Sequence, residues 1–489
     1  MRKSGILMHI SSLPGPWGIG TMGKDAYAFV DFLQAAGQSY WQILPLSPTG
    51  YGDSPYQSFS TFAGNDYLID PELLLQQNLL TKAELEAYSW GDGGRVNYGN
   101  LYENRKKLLF HAFRRFVPHA NYEKFVEDNH RWLSDYALFI ALKEKFHGQC
   151  WYHWPAALVM RSEAELASYR AELDESIRFQ YFLQYIFHCQ WHDLKHYAHE
   201  KGIQIIGDVP IYVPLDSADV WANPALFQLD SNRRPQKVAG CPPDSFTADG
   251  QLWGNPLYDW DNMKATGYQW WIQRLQAATQ LYDVVRLDHF RGFESYWAIP
   301  ATDNTAKNGC WMPGPGMDFI RTLQQAFPQG QFIAEDLGYV TDEVRQLQLD
   351  SGYPGMKVME FAFDSREAGN YLPHLYPVNS VCYTGTHDNV TLKQWFLEAD
   401  AQDVSRARAY LGLHEAEGYI WGMIRGAMSS VSQLCIVQMQ DYLELDGSAR
   451  MNFPGTLSAN NWSWRAEPGF ASSQLAQRIH EITTRYARD

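Results

Sequence analysis

The sequence predicts an α/β protein, a (β/α)8 TIM barrel with helical and irregular insertions, and three observations carry that expectation. Eight short runs of continuous apolar residues recur along the chain, separated by segments whose apolar positions have helical spacing. Runs that are apolar at every position suit strands buried on both faces, and such strands alternating with helices build parallel sheets. Acidic residues stand just past three of these runs, in Val-Val-Arg-Leu-Asp-His-Phe-Arg-Gly (284–292), Phe-Ile-Ala-Glu-Asp-Leu-Gly (332–338) and Tyr-Thr-Gly-Thr-His-Asp-Asn (383–389). In a parallel barrel all strand C-termini open on one face, so acids placed there converge on one pocket. The 489 residues suffice for one such domain with insertions.

The first run, 5–10, leads to an amphipathic helix over 24–36 that stops at Gly37. The second, 40–46, is closed by Pro45 and Pro48. More than 150 residues separate it from the third run, 204–209, with helical spacing at 101–116, 122–146 and 174–200. That block is too long for a loop and is expected to be an inserted helical subdomain at about 66–203. Residues 215–260 are rich in Pro, Gly, Asp and Asn, which predicts an irregular lobe on the catalytic face, about 214–262 in all. The remaining runs fall at 284–287, 332–334, 356–363, 381–384 and 434–440. A loop at 446–468 and a helix at 472–488 follow, leaving no room for a C-terminal β-sandwich. Residues 1–489 are thus expected to form a single catalytic barrel domain.

A formal net charge of −15 offers no basic footprint, which argues against nucleic acid and anionic membranes as partners. The apolar run at 6–10 is broken by Pro14 and Pro16 and is too short for a signal peptide, and no run of 18 apolar residues occurs. Six cysteines are scattered without a Cys-x-x-Cys pair, so free thiols and a cytoplasmic location are expected. Aromatic residues make up 15% of the chain and can stack on the apolar faces of sugars, but core filling accounts for most of them.

Two patterns are read as decoys. Gly18-Ile19-Gly20-Thr21-Met22-Gly23 matches a dinucleotide-binding fingerprint, yet residues 11–17 separate it from the strand and no acid closes the second strand. His188, His192, His196 and His199 share one side of a helix, which is read as a polar outer face. No metal and no cofactor are expected.

The three strand-end acids carry the chemistry. Arg286 lies two residues before Asp288, so alternation puts both side chains on one face, and a guanidinium there favours an ionised nucleophile. Glu335 ends an apolar run, where burial raises a carboxyl toward the range of a general acid. Asp388, after His387, is placed to stabilise an oxocarbenium-like transition state. Two convergent carboxylates and a third acid suit glycosidic-bond chemistry.

The segments Gly207-Asp208-Val209-Pro210, Arg286-Leu287-Asp288-His289, Ala334-Glu335-Asp336-Leu337-Gly338 and Thr386-His387-Asp388-Asn389 resemble the signature segments of the α-amylase clan. Longer motifs are similar to those of the amylomaltases, the 4-α-glucanotransferases or disproportionating enzymes of glycoside hydrolase family 77. These are Ser12-Leu13-Pro14-Gly15, the stretch from Pro48 to Gln57, Pro242-Pro243-Asp244-Ser245-Phe246, and Trp253-Gly254-Asn255-Pro256-Leu257-Tyr258. The resemblance runs from about Ile6 to Trp464, and the missing β-sandwich agrees with it.

The resemblance implies that Asp288 is the nucleophile, Glu335 the acid/base and Asp388 the transition-state stabiliser. It implies that Arg286 and His387 line the donor subsite, that Tyr51, Ser54 and Tyr56 belong to a glucan-binding loop, and that Asp208, His289, Asp336 and Asn452 bind substrate. Asp244, Phe246, Gln251 and Trp253 would belong to a loop overhanging the acceptor side, where Ser245 departs from a commonly aromatic position. The implied activity is transfer of α-1,4-glucan segments between maltooligosaccharides with retention. Hydrolysis by the same acids is the alternative, and a non-catalytic glucan-binding protein would lack at least one of them. Oligomeric state is not legible.

Overall fold

In the computed structural model, residues 2–50, 52–91, 93–243, 247–338, 340–365 and 371–489 are described. Among them twelve strands occur in chain order: β1 (Lys3–Leu7), β2 (Tyr40–Gln42), β3 (Gln204–Val209), β4 (Lys237–Cys241), β5 (Gln251–Pro256), β6 (Val284–Leu287), β7 (Ser295–Pro300), β8 (Cys310–Pro313), β9 (Gln331–Ala334), β10 (Gly355–Val358), β11 (Ser380–Tyr383) and β12 (Leu434–Gln438). Eight close a barrel in the order β1-β12-β11-β10-β9-β6-β3-β2, every pairing parallel.

Each of the eight predicted apolar runs overlaps a barrel strand, but several runs overshoot the ladder. The run at 40–46 holds only β2. That at 356–363 divides into β10 and a 3-10 turn, Met359–Phe363, and that at 434–440 passes from β12 into the helix Met439–Tyr442. The cause is that apolar sequence reports burial rather than hydrogen bonding. Past their strands, Ile43, Leu44 and Leu46, and Met359, Ala362 and Phe363, remain buried.

Helices fill the span between β2 and β3, the longest being Ala120–Lys145 and Asp174–Glu200. Their starts are locally encoded. Asp70 accepts from Leu73 N at 3.0 Å ahead of a helix with Pro71 in its first turn, and Thr81 with Glu84 forms a capping box.

The segment expected to be an irregular lobe requires correction. It carries β4 and β5, which join β7 and β8 in a four-stranded antiparallel sheet of order β5-β4-β7-β8. These strands have four to six residues, and β4 finds one partner more than fifty positions later, so no contiguous window displays the sheet.

The glycine-rich decoy has a packing explanation. A Cβ on Gly20 would lie 1.8 Å from the Ile10 carbonyl oxygen, and one on Gly23 would lie 2.0 Å from Asp70 Oδ2. Along the histidine stripe, half-buried His188 bonds the Gln184 carbonyl, His192 and His196 are exposed, and His199 pairs with Asp283 at 2.9 Å. Among the described residues no group of three or more His, Cys, Asp or Glu is arranged to hold a metal ion, and no helix is long and apolar enough to cross a membrane.

Candidate active site

Strand register brings the acids together. Asp208 on β3 pairs with Arg286 on β6, and Leu287 on β6 pairs with Ala334 on β9. Asp288 and Glu335, each the next residue, therefore stand side by side past the fourth and fifth barrel strands. The ladder continues through them: Asp288 N donates to Val209 O and Glu335 N to Leu287 O, each at 3.1 Å. Neighbouring strands lie about 4.8 Å apart, so the two carboxyls share one small volume.

Arg286 organises this volume. Its Nη1 donates to Asp288 Oδ1 at 2.8 Å and to Asp208 Oδ2 at 2.7 Å, and Tyr56 Oη donates to the same Asp208 oxygen at 2.7 Å. Burial disfavours the guanidinium charge, but Asp208 and Asp288 outweigh it and hold the cation well into its charged range. Burial pushes Asp288 up to about 8 against the pull of Arg286, and the charges of Asp208, Glu335 and Asp388 add to the rise. Glu335 is also raised by burial, opposed by Arg286 and by the backbone N–H groups of Leu337 and His289. The direct bond from Arg286 favours the charged form of Asp288.

Glu335 is fixed by two backbone donors, His289 N to Oε2 at 2.6 Å and Leu337 N to Oε1 at 2.9 Å. His289 adopts φ +51°, a left-handed conformation uncommon outside glycine, and its N–H reaches the acid from there. Its ring, neutral because burial lowers it to about 3, meets Trp253 edge-to-face at 4.8 Å. Gln251 Oε1 accepts from Trp253 Nε1 at 3.0 Å and steadies that indole.

Asp388 emerges from the loop after β11. Asn452 Nδ2 donates to its Oδ1 at 2.7 Å, His387 Nε2 lies 3.4 Å from the same oxygen, and Arg450 bonds its backbone carbonyl. The His387 ring stacks on Tyr56 at 5.0 Å and lies 5.8 Å from Trp462. Burial lowers the His387 ring more than Asp388 raises it, so the imidazole is neutral.

Tyr56, Gln251, Trp253, Arg286, His289, His387 and Asn452 thus surround or support the three acids. Two expected substrate ligands are placed otherwise. Asp208, its side chain 1% exposed, is spent on Arg286 and Tyr56. Asp336 accepts from Met356 N at 2.6 Å and clamps β10 to the end of β9. In both cases carboxylates beneath the pocket rim satisfy protein donors, a difference invisible in a motif. Ser54 has a local task, its Oγ accepting from Tyr56 N at 3.2 Å in the turn that presents Tyr56. Tyr51, Asp244 and Phe246 lie outside the described residues.

Arg450 and Trp462 were missed by sequence reasoning, because the C-terminal segment reads as a loop. The available signal was the aromatic pair in Asn461-Trp462-Ser463-Trp464, with both indoles buried in an otherwise polar stretch.

The profile of glycoside hydrolase family 77, described as 4-alpha-glucanotransferase, matches residues 8–471. The chain belongs to the 4-alpha-glucanotransferase family. It is 48% identical to the 4-alpha-glucanotransferase of Clostridium butyricum, over 98% of this chain and all of that one. Identity to the Aquifex aeolicus enzyme of the same name is 44%, with both chains fully covered. The structure superposes on the amylomaltase from Streptococcus agalactiae, solved in complex with acarbose, with a TM-score of 0.97, 42% identity and full coverage of both chains. The amylomaltase from Corynebacterium glutamicum shares the fold at 19% identity and a TM-score of 0.77, over all of this chain and 75% of that one. The expectation of a glucan-transferring barrel enzyme drawn from the sequence stands.

Proposed function

We propose that the chain moves α-1,4-glucan segments between maltooligosaccharides by a retaining double displacement, with the insertions serving one catalytic domain. The observation that carries this reading is the placement of Asp288 and Glu335 at matched positions of adjacent strands, with Arg286 bonded to Asp288. Glu335 protonates the glycosidic oxygen while Asp288 attacks the anomeric carbon, and the leaving sugar departs as an alcohol. Asp388, oriented by Asn452, counters positive charge at the ring. Glu335, now anionic, takes the proton from an acceptor hydroxyl, which attacks the glycosyl-Asp288 ester and restores the free acids. Cys150, Cys189, Cys310, Cys382 and Cys435 form no disulfide, which suits a reducing, cytoplasmic setting.

Trp253, held by Gln251 beside His289, is proposed as a platform for the acceptor sugar. A positioned hydroxyl has a large effective-concentration advantage over bulk water. Maltotriose is therefore expected to give glucose and a ladder of longer chains while total reducing ends stay nearly constant. A steady rise in reducing ends without longer products would make the protein a hydrolase. Trp253→Ala should lower transfer more than hydrolysis, read as the ratio of long products to new reducing ends.

Asn452→Ala removes the donor that aims Asp388. We expect kcat to fall about 10- to 100-fold with KM changed little, since the lost hydrogen bond to a charged group is worth about 1.5–3 kcal/mol and acts on the stabiliser. Steady-state kinetics with maltotriose check this, and an unchanged kcat would remove Asn452 from the machinery.

A further inference from the structure

The three acids are held in two different ways. Asp288 and Glu335 continue the barrel ladder through their own N–H groups, whereas the ladder of β11 ends at Tyr383 and Asp388 lies five residues past it. The N–H of Asp388 turns back within its loop and donates to Thr386 Oγ1 at 3.3 Å. From outside the loop, residues 450–452 grip it. Asn452 N donates to His387 O at 3.1 Å, Asn452 Nδ2 to Asp388 Oδ1 at 2.7 Å, and Arg450 Nη2 to the Asp388 carbonyl at 2.5 Å.

A further bond from Arg450 gives this grip its geometry. Its Nε donates to Asn452 O at 2.7 Å, so the Nε and Nη2 donors, which lie along one edge of the planar guanidinium, bridge the carbonyls of Asn452 and Asp388. That edge is rigid. It sets the separation of the two backbones, and with it the reach of the Asn452 amide to the Asp388 carboxylate. The guanidinium is half-buried and lies 4.3 Å from the centre of the Phe453 ring. Its own backbone is anchored in turn. Arg450 N donates to Gly447 O at 3.2 Å, buried Gln440 donates through Nε2 to Ala449 O at 3.2 Å, and Arg95 Nη2 donates to Ser448 O at 2.6 Å. The bond from Arg450 takes the backbone of Asp388 and leaves the charge of its carboxylate for the sugar ring.

We propose that Arg450 is a positioning residue for the transition-state stabiliser: it ties the backbone of Asp388 to that of Asn452, so that the Asn452 amide and the Asp388 carboxylate meet in one fixed geometry before substrate arrives. The inference rests on the role proposed above for Asp388. A stabiliser on a loop beyond its strand gains most from such support, because a carboxylate that must reorient during the reaction loses part of its effect on the developing charge. Lysine is a poor substitute at this position. Its ammonium is a point charge on a flexible stem and does not present two donors at a fixed spacing.

The test measures kcat and KM on maltotriose for Arg450→Ala, Arg450→Lys, Asn452→Ala, and Arg450→Ala combined with Asn452→Ala, with thermal unfolding as the control. Arg450→Ala is expected to lose about 10- to 100-fold in kcat with KM within about threefold. Arg450→Lys keeps the charge and is still expected to lose about fivefold or more in kcat. In the Asn452→Ala background the alanine change should lower kcat by about threefold or less, because the amide that Arg450 aligns is gone. Wild-type kcat in the alanine or the lysine variant overturns the proposal, and so does a combined variant in which the two losses multiply in full. If Arg450→Ala does not fold, Arg450→Lys replaces it, alone and in the Asn452→Ala background, under the same criteria. Asp388→Asn run in parallel separates the two assignments. Retained kcat in that variant means the role of Asp388 is wrong. Lost kcat there with none lost at Arg450 means only the present inference is wrong.

Discussion

Asp288→Asn is expected to lower turnover of maltotriose by about 10⁴-fold or more while the protein remains folded. A neutral amide cannot form the glycosyl ester, and among the described residues no other carboxylate stands where Asp288 does: Asp208 is buried beneath Arg286, and Glu335 is tied to two backbone N–H groups. Folding should survive because the Asn carbonyl can still accept from Arg286, and because the Asp288 side chain, 27% exposed, lies outside the closely packed core. The measurement is product formation over long incubations, with circular dichroism and thermal unfolding as controls. Loss of less than tenfold would show that another group attacks the anomeric carbon.

Glu335→Gln has the second largest expected effect, and it discriminates between steps. With maltooligosaccharides the variant should lose about 10³-fold or more, because the alcohol leaving group departs without a proton. With α-maltosyl fluoride, whose leaving group needs none, formation of the glycosyl-enzyme should be largely spared and the intermediate should accumulate. Its pH dependence should also change. In the wild type the neighbouring Glu335 charge is one cause of the rise of Asp288 to about 8, so removing it lets Asp288 ionise at lower pH. Ionised Asp288 is the reactive form, so the variant's fluoride reaction should rise with pH from a lower threshold and remain high above it. Equal loss on both donors would remove Glu335 from the role of general acid.

Much of the site was legible because it is written in strand ends. Each of the three acids follows a continuous apolar run, and a parallel barrel gathers such ends on one face whatever their separation in sequence. The pairing of Arg286 with Asp288 also followed from alternation along a single strand. The status of Asp208 and Asp336 did not. In the sequence each is an acid at a strand end, as Asp288 and Glu335 are. Whether such a carboxylate faces substrate or satisfies Arg286 or the Met356 amide depends on its depth below the rim.

The sequence by itself determined the barrel, its eight strand positions and the three acids. These depend on local burial patterns and on chain direction, which every residue of a strand reports. Only the tertiary structure decided that the segment around 237–256 folds as half of a sheet completed by 295–313, and that Arg450 and Trp462 reach the catalytic loops. Those arrangements depend on partners tens of residues apart, some in short or irregular segments with no periodicity. Their pairing is set by which buried donors and acceptors meet once the barrel has closed.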